Sequence, residues 1–576
     1  MNNLQITFSK LNFLTASVII AILGIVVFSV SLSNPFIGDD QGQIVDNQFV
    51  HSVSHVTTLF QSSTFYDAVD HPELTGHYYR PLMMVIYSAL YTLFGPNPAA
   101  FHLLQLILHI ANAILLFLVF RYFFRPALAL GLAVIFLIHP INSQAVFAIA
   151  TLQEPLYFFF GILAFWSLLR FQFRSSKFLI LTTICLLLSL LSKESGVLFV
   201  AISALYLFFF DKKRLYPFIG LMGLFMAAYI ALKIHAVGFA TNPHNAQIDE
   251  LNIWGRLATV PAIITFYVIA FVFPIHLAHA YFWVYPHISF LHFYLPMTAI
   301  TLILCGLVYL AIILRRKGFV RQYALFSFFG AWLVTGLLIH LQLIPLDFTA
   351  SETWFYFPIV GALGMIGALA DAFPVTLPRS WVISCSVLVF SLLIARTMTR
   401  APNWSSNADL AYHDITVSKE DYSSEFIIAS DLFARRQFNG AKAHAIRSIE
   451  LYPNALSYNI LGQVSASRGN FAQAKQAFLD GLKYQDRYGF YANLAALTVY
   501  YGNPNDGRAF IKSAIKKFPQ KGKLWLCLAL LEYKNHNTSD AKSAIQQAYN
   551  YDPGNKYYFD IITNDQPLDL SAQPNL

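Results

Sequence analysis

The residues best suited to chemistry are few and mostly charged. Asp39 and Asp40 stand side by side after the first apolar run, within Gly38-Asp39-Asp40 and shortly before Asp46-Asn47. Carboxylates beside a lipid phase are costly and tend to be functional. Such a group can act as general base on an attacking hydroxyl. Its oxygens equally suit Mg2+ or Mn2+, so Asp39 and Asp40 are also a candidate metal pair. A third reading is a solvated loop that merely caps a helix. Arg80, in Tyr78-Tyr79-Arg80-Pro81-Leu82, carries a guanidinium that can grip a phosphate. Beside Tyr79 it could instead be a headgroup-level anchor. His139-Pro140, Glu154, Ser192-Lys193-Glu194, Arg256 and Glu352 also fall at or near the ends of apolar runs. Single charges there can snorkel, and Lys193 and Glu194 could form an internal pair. Several such pieces on one face point to a shared aqueous cleft. His102, His109 and Asn112 lie within one apolar run and read as interhelical hydrogen-bonding groups.

The elements that must hold these residues are membrane helices. The chain has 576 residues, 57% hydrophobic and 12% charged, against about 25% charged in soluble domains. That balance excludes a purely soluble enzyme, a disordered chain and a disulfide scaffold. The four cysteines include no CxxC pair, so cysteine offers no metal site or structural disulfide. The net charge of +8 gathers in four clusters: Arg121 with Arg125; Arg170, Arg174 and Lys177; Lys212, Lys213 and Arg214; and Arg315, Arg316, Lys317 and Arg321. Short basic loops between apolar runs mark the cytoplasmic side and give no reason to invoke nucleic acid.

Counting spans from a cytoplasmic N-terminus gives about eleven crossings of roughly 20 residues each. The first, 11–33, reads as an uncleaved signal anchor, because it exceeds a usual signal-peptide core. The chemically interesting pieces then share the outer face. This count needs 82–94 and part of 254–279 to lie in the interface or re-enter. A full crossing by 254–279 would instead turn Arg315, Arg316 and Lys317 outward.

After Arg396 the pattern changes to paired amphipathic helices. Ala441, Ala474, Gly507 and Ala541 recur at spacings of 33, 33 and 34 residues, and Pro453, Pro519 and Pro553 close units. Small residues let two helices of a unit approach closely, and proline ends the second. This resembles the tetratricopeptide repeat, an α-solenoid whose concave face binds peptides or proteins. The expected organisation is an all-α chain: a membrane domain over 1–396 with an outer loop at 34–80, a linker at 397–423, about four repeats over 424–555, and a tail at 556–576. The repeats could recruit a partner, or only stiffen the protein.

The ordered set of motifs resembles the membrane glycosyltransferases of the GT-C superfamily. It is most similar to the transmembrane-and-tetratricopeptide proteins that include protein O-mannosyltransferases. The resemblance rests on Asp39-Asp40 with Asn47, Tyr79-Arg80-Pro81-Leu82, His139-Pro140 before Ala145-Val146, Ser192-Lys193-Glu194, Glu352 with Tyr356 and Pro358, and Arg400 with Trp404. It implies sugar transfer, with inversion, from a polyprenyl-phosphate donor to an acceptor hydroxyl on the outer face; in a bacterium that is the periplasmic face of the inner membrane. By the same resemblance the aspartates supply the base, and Arg80, His139 and Lys193 lie near the donor phosphate. Tyr79, Glu154, Glu194, Arg256 and Glu352 complete the cleft. The chain departs from the family at Gln144, Leu152 and Thr353, where carboxylate or arginine residues are frequent. These departures keep a second reading open: a catalytically degenerate membrane anchor for a repeat scaffold in an envelope complex.

Overall fold

A computed structural model describes residues 12–66, 78–171, 176–238, 246–374 and 378–568. Asp67, Asp70, Glu73 and His77 of the first long loop lie outside these residues. The described chain is helical, with one isolated antiparallel bridge between Tyr281 and Ala350. It divides into two compact units, Met1–Lys419 and Glu420–Leu576.

Helices of eight or more residues are numbered here. The first unit holds α1 (Phe13–Phe28), α2 (Pro81–Phe94), α3 (Pro98–Phe123), α4 (Pro126–Ile138), α5 (Gln153–Phe171), α6 (Ser176–Ser192) and α7 (Val197–Phe210). It continues with α8 (Lys212–Val237), α9 (Ile253–Val272), α10 (Leu295–Arg316), α11 (Val320–Leu338), α12 (Pro358–Ala372), α13 (Arg379–Arg400) and α14 (Asn407–Val417). Proline opens several of them at the first turn, where its missing N–H costs nothing.

Among the described residues, seven helices are long and apolar enough to cross a membrane. An eighth span arises if α4 and the following Pro140–Phe147 segment, bent by 51°, count as one. Four shorter apolar helices, α2 among them, fall below that length. The outer surfaces of the long helices α10 and α13 are apolar, with Leu302, Tyr309, Val387 and Leu392 exposed. A surface of that kind is stable only against lipid or another apolar partner.

The ends of the bundle differ in charge. At one end Arg321 donates to the Phe123 carbonyl at 2.6 Å, Arg125 pairs with Asp371 at 3.5 Å, and Lys317 lies 5.2 Å from the Phe373 ring centre. The first and fourth basic clusters therefore meet. Helix α9 is long and apolar enough to span. Yet its last turns reach the opposite end, where Tyr267 Oη donates to Ser351 O at 3.1 Å and Phe271 O meets His139 at 2.9 Å. Length alone thus does not turn Arg315, Arg316 and Lys317 to the other end.

The stretch expected as a linker, 397–423, is mostly built into the first unit. Thr397 donates to Ile138 O, Asn407 accepts from Gly38 N–H at 2.6 Å, and Asp414 accepts from His279 N–H at 3.1 Å. Leu410 and Val417 pack against the bundle core. Apolar side chains at helical spacing bury a face there, which the end of the long apolar run did not signal.

The second unit contains four antiparallel helix pairs and a closing helix. The pairs are α15 (Tyr422–Ala434) with α16 (Phe438–Leu451), α17 (Ala455–Ser467) with α18 (Phe471–Tyr484), α19 (Tyr488–Tyr501) with α20 (Pro504–Lys517), and α21 (Gly522–Lys534) with α22 (Thr538–Tyr551). Ala441, Ala474 and Ala541 are fully buried at the helix contacts. At Gly462 an added Cβ would stand 2.3 Å from the Phe478 ring. Gly462→Val is therefore expected to destabilise the array by about 1–3 kcal/mol. Thermal unfolding of the full chain, with proteolysis reporting on 420–568, checks this. The expected tail begins as helix α23 (Lys556–Thr563), whose Ile562 is buried; residues 569–576 are not described.

Candidate active site

The turn after α1 positions the aspartates. Gly38 takes φ +56°, a left-handed conformation that glycine adopts without strain. The chain then directs its two carboxylates apart: Asp39 is exposed and Asp40 is 1% exposed. Asp40 Oδ2 accepts the Ile37 N–H at 2.9 Å, while Oδ1 has no hydrogen-bond partner among the described residues. Burial pushes the Asp40 carboxyl up to about 8, Asp39 adds to this, and the Ile37 and Ala150 amides oppose it. A carboxyl in that range is a candidate proton acceptor for chemistry near neutral pH.

A second group surrounds Arg80, at the N-terminus of α2. Its guanidinium pairs with Glu194 at 3.3 Å and lies 4.4 Å from the Tyr78 ring centre. The Tyr79 N–H donates to Glu194 Oε1 at 3.3 Å, and its hydroxyl donates to Phe60 O at 3.0 Å. Glu194 also faces Lys233 at 3.8 Å. Tyr78 hydrogen-bonds Asp347, whose carboxyl is raised by burial although Tyr78 and Arg80 favour its charge. Lys193 forms a separate buried ion pair with Glu154. The alternative Lys193–Glu194 pair does not form, because these neighbours leave the chain in different directions.

A third group joins three loops. Arg400, at the end of α13, makes a two-pronged contact with Glu352, both side chains being essentially buried. It also donates to Pro140 O at 3.1 Å and Ser143 Oγ at 2.8 Å. Burial lifts the Glu352 carboxyl to about 7 even with Arg400 beside it.

The predicted residues fall in three groups of direct contacts within electrostatic reach of one another: Arg80 feels Glu154, Tyr87 feels both Asp40 and Arg80, and Tyr267 feels both Glu154 and Glu352. Asp40, Arg80, Tyr79, Glu194, Lys193, Glu154 and Glu352 occupy these three groups. His139 stands apart from Arg80: its Nδ1 accepts the Ile141 N–H at 3.2 Å and its Nε2 meets Phe271 O at 2.9 Å. Both ring nitrogens are used, so no N–H is left for a phosphate. Arg256 donates to Leu251 O at 2.8 Å, a local helix-start contact. His109 and Asn112 are interhelical, meeting Tyr356 Oη at 2.8 and 3.1 Å. Sequence reasoning missed Lys233 and Tyr229 of α8. The available signal was a polar i, i+4 pair near the end of an apolar span.

The metal reading finds a poor fit. Asp39 and Asp40 face different environments, and among the described residues no three His, Cys, Asp or Glu side chains gather as a cation site. Dialysis against EDTA is expected to leave any turnover unchanged. Turnover lost to EDTA and restored by Mg2+ would place an ion on the pair.

Fold and site together define an integral membrane protein of helical type, with a buried carboxylate and ion pairs at one end of its bundle and a tetratricopeptide-like array after it. No family model matches the chain. It is similar to mouse "Protein O-mannosyl-transferase TMTC3", 27% identical over 202 residues, covering 34% of this chain and 22% of the mouse protein. The human protein of the same name is 28% identical over 180 residues, covering 31% and 20%. The Caenorhabditis elegans "Protein O-mannosyl-transferase F38B6.6" is 20% identical over 415 residues, 69% of this chain and 56% of that protein. The chain thus matches only about a fifth of the two TMTC3 relatives' length. These names agree with the resemblance to transmembrane-and-tetratricopeptide glycosyltransferases.

Proposed function

We propose that this protein is a membrane glycosyltransferase of O-mannosyltransferase type. It moves a sugar from a polyprenyl-phosphate donor to an acceptor hydroxyl, a protein serine or threonine, on the outer face of the membrane. The observation that carries this reading is Asp40: a buried carboxylate with one unpartnered oxygen, at the end of the bundle that also holds Arg80 and Lys193. Relatives named as O-mannosyltransferases support it.

In the proposed reaction Asp40 takes the proton as the acceptor oxygen attacks the anomeric carbon. The bond to the phosphate oxygen breaks on the opposite face, which inverts that carbon. Arg80 and Lys193 offset the charge developing on the leaving phosphate. Glu194 and Glu154 hold these cations in place before the donor arrives. The repeats would present the acceptor protein.

The Asp40 environment fixes the direction of the pH dependence. Only the ionised carboxylate can accept a proton, and burial raises its ordinary value of 3.8 to about 8. The free-enzyme rate constant kcat/KM should therefore climb as pH rises through about 8 and level off above it. Purified protein, polyprenyl-phosphate sugars and serine- or threonine-containing peptides provide the assay. Turnover independent of pH between 6 and 9, or undiminished in Asp40→Asn, would remove Asp40 as the base.

A second reading has its own support. Arg80, Lys193 and Arg400 each pair with a carboxylate, as they would in a purely structural bundle anchoring a repeat scaffold. Retrieval of an envelope complex through the repeats, undisturbed by Asp40→Asn in cells, would favour it.

A further inference from the structure

Most of the apolar surface of helix α8 is left uncovered by the rest of the bundle. Near its C-terminal end it carries Tyr229 and, one turn on, Lys233. Tyr229 is 5% exposed, yet its hydroxyl has no hydrogen-bond partner among the described residues. Burying a hydroxyl without a partner is unfavourable. Its ring lies 6.1 Å from the Tyr79 ring, and the hydroxyl is within electrostatic reach of Glu194 and Arg80. Lys233, one turn on, faces the same Glu194 at 3.8 Å and is about one-third exposed.

Glu194 therefore carries two cations. Asp347 lies within reach of Arg80 from the Tyr78 side, so Lys233, at the longer distance from Glu194, and the Tyr229 O–H are the groups least committed to a partner. The floor beneath them is apolar: Tyr79, Leu190, Leu191 and Tyr229 form a satellite core with Leu187 and Met226 packed against it. Charge and donor at one edge, with apolar side chains below, match an anionic head on a hydrocarbon chain.

We propose that Tyr229 and Lys233 complete, with Arg80, a seat for a phosphate ester carried on an apolar chain. This rests on the transferase reading and specifies which residues take the donor phosphate. Tyr229 donates its hydroxyl to a phosphate oxygen, and Lys233 supplies a second cation opposite Arg80. His139 has no part in the seat.

The test uses the full chain in nanodiscs, with sugar-free polyprenyl phosphate as probe and inorganic phosphate as competitor. Lys233→Gln should weaken lipid binding about tenfold, Tyr229→Phe severalfold, and Lys233→Arg little, as for charged and neutral hydrogen bonds respectively. Both Lys233 variants alter a partly exposed side chain, and Tyr229→Phe keeps the ring, so folding is preserved. Failure of inorganic phosphate to compete at millimolar concentration supports the lipid source. Full competition by it overturns the apolar-chain part of the seat. Unchanged lipid affinity in both Lys233→Gln and Tyr229→Phe overturns the seat altogether. Lipid binding that responds to these variants, in a protein showing no sugar transfer, would sink the transferase reading and keep the seat. Transfer with donor KM unchanged in both variants would do the reverse.

Discussion

Asp40→Asn is expected to lower sugar-transfer turnover by about 10²–10⁴-fold, the range for loss of a positioned general base. The amide is nearly isosteric, and its oxygen can still accept the Ile37 N–H that Oδ2 now accepts at 2.9 Å. The turn after Gly38 should therefore survive, and donor KM should change little. What disappears is proton affinity at the unpartnered oxygen. The pH limb near 8 should vanish with it, whatever residual rate remains. Asp39→Asn is expected to do much less, because Asp39 is exposed and acts on Asp40 through its charge. Removing that charge should move the limb to lower pH, since Asp39 helps hold the Asp40 carboxyl up. Equal loss from both substitutions would contradict the division of roles. Single-turnover rates across pH, measured on protein with an unchanged unfolding temperature, separate these outcomes.

The second large effect is on stability. Arg400→Met should cost about 3–5 kcal/mol, because it strands a buried carboxylate. Glu352 is 0% exposed, and its two oxygens meet the two prongs of Arg400. The same substitution removes the donors to Pro140 O and Ser143 Oγ, which fasten the loop after α4. Pairing it with Glu352→Leu removes the stranded charge. Replacing a whole buried ion pair with apolar groups is often neutral or better, so the double variant should recover much of the loss. A double variant no more stable than Arg400→Met would show that the loop contacts, not the carboxylate, carry the cost. Thermal unfolding in detergent reads both.

Much of the architecture was legible because it follows from solvation. Lipid admits apolar helices and little else, so composition and run length were enough to mark the bundle. The spacing of Ala441, Ala474, Gly507 and Ala541 disclosed the array, because helix pairs that stack must place small residues at a fixed period. His109 and Asn112 find the interhelical partner that a polar group inside an apolar span needs, whereas His102, expected to do the same, is buried with neither ring nitrogen hydrogen-bonded among the described residues. The stretch 397–423, expected as a linker, is for the most part helix packed on the first unit. Its helices bury short apolar faces against the bundle, and such faces are invisible to a criterion built on long apolar runs.

The candidate site was legible in its residue types but not in its partners. Sequence alone determined that Asp39, Asp40, Arg80, Lys193, Glu194 and Glu352 were unusual, because charge at the end of an apolar span is expensive wherever the chain goes. Tertiary structure alone decided which of them meet. It set Asp40 inside and Asp39 outside, sent Lys193 to Glu154 and Glu194 to Arg80, engaged both nitrogens of His139, and brought in Lys233 and Tyr229 from a distant helix. The physical reason is range: the cost of burying a charge depends on its local solvent, whereas its relief depends on a partner that only the packing of remote helices can deliver.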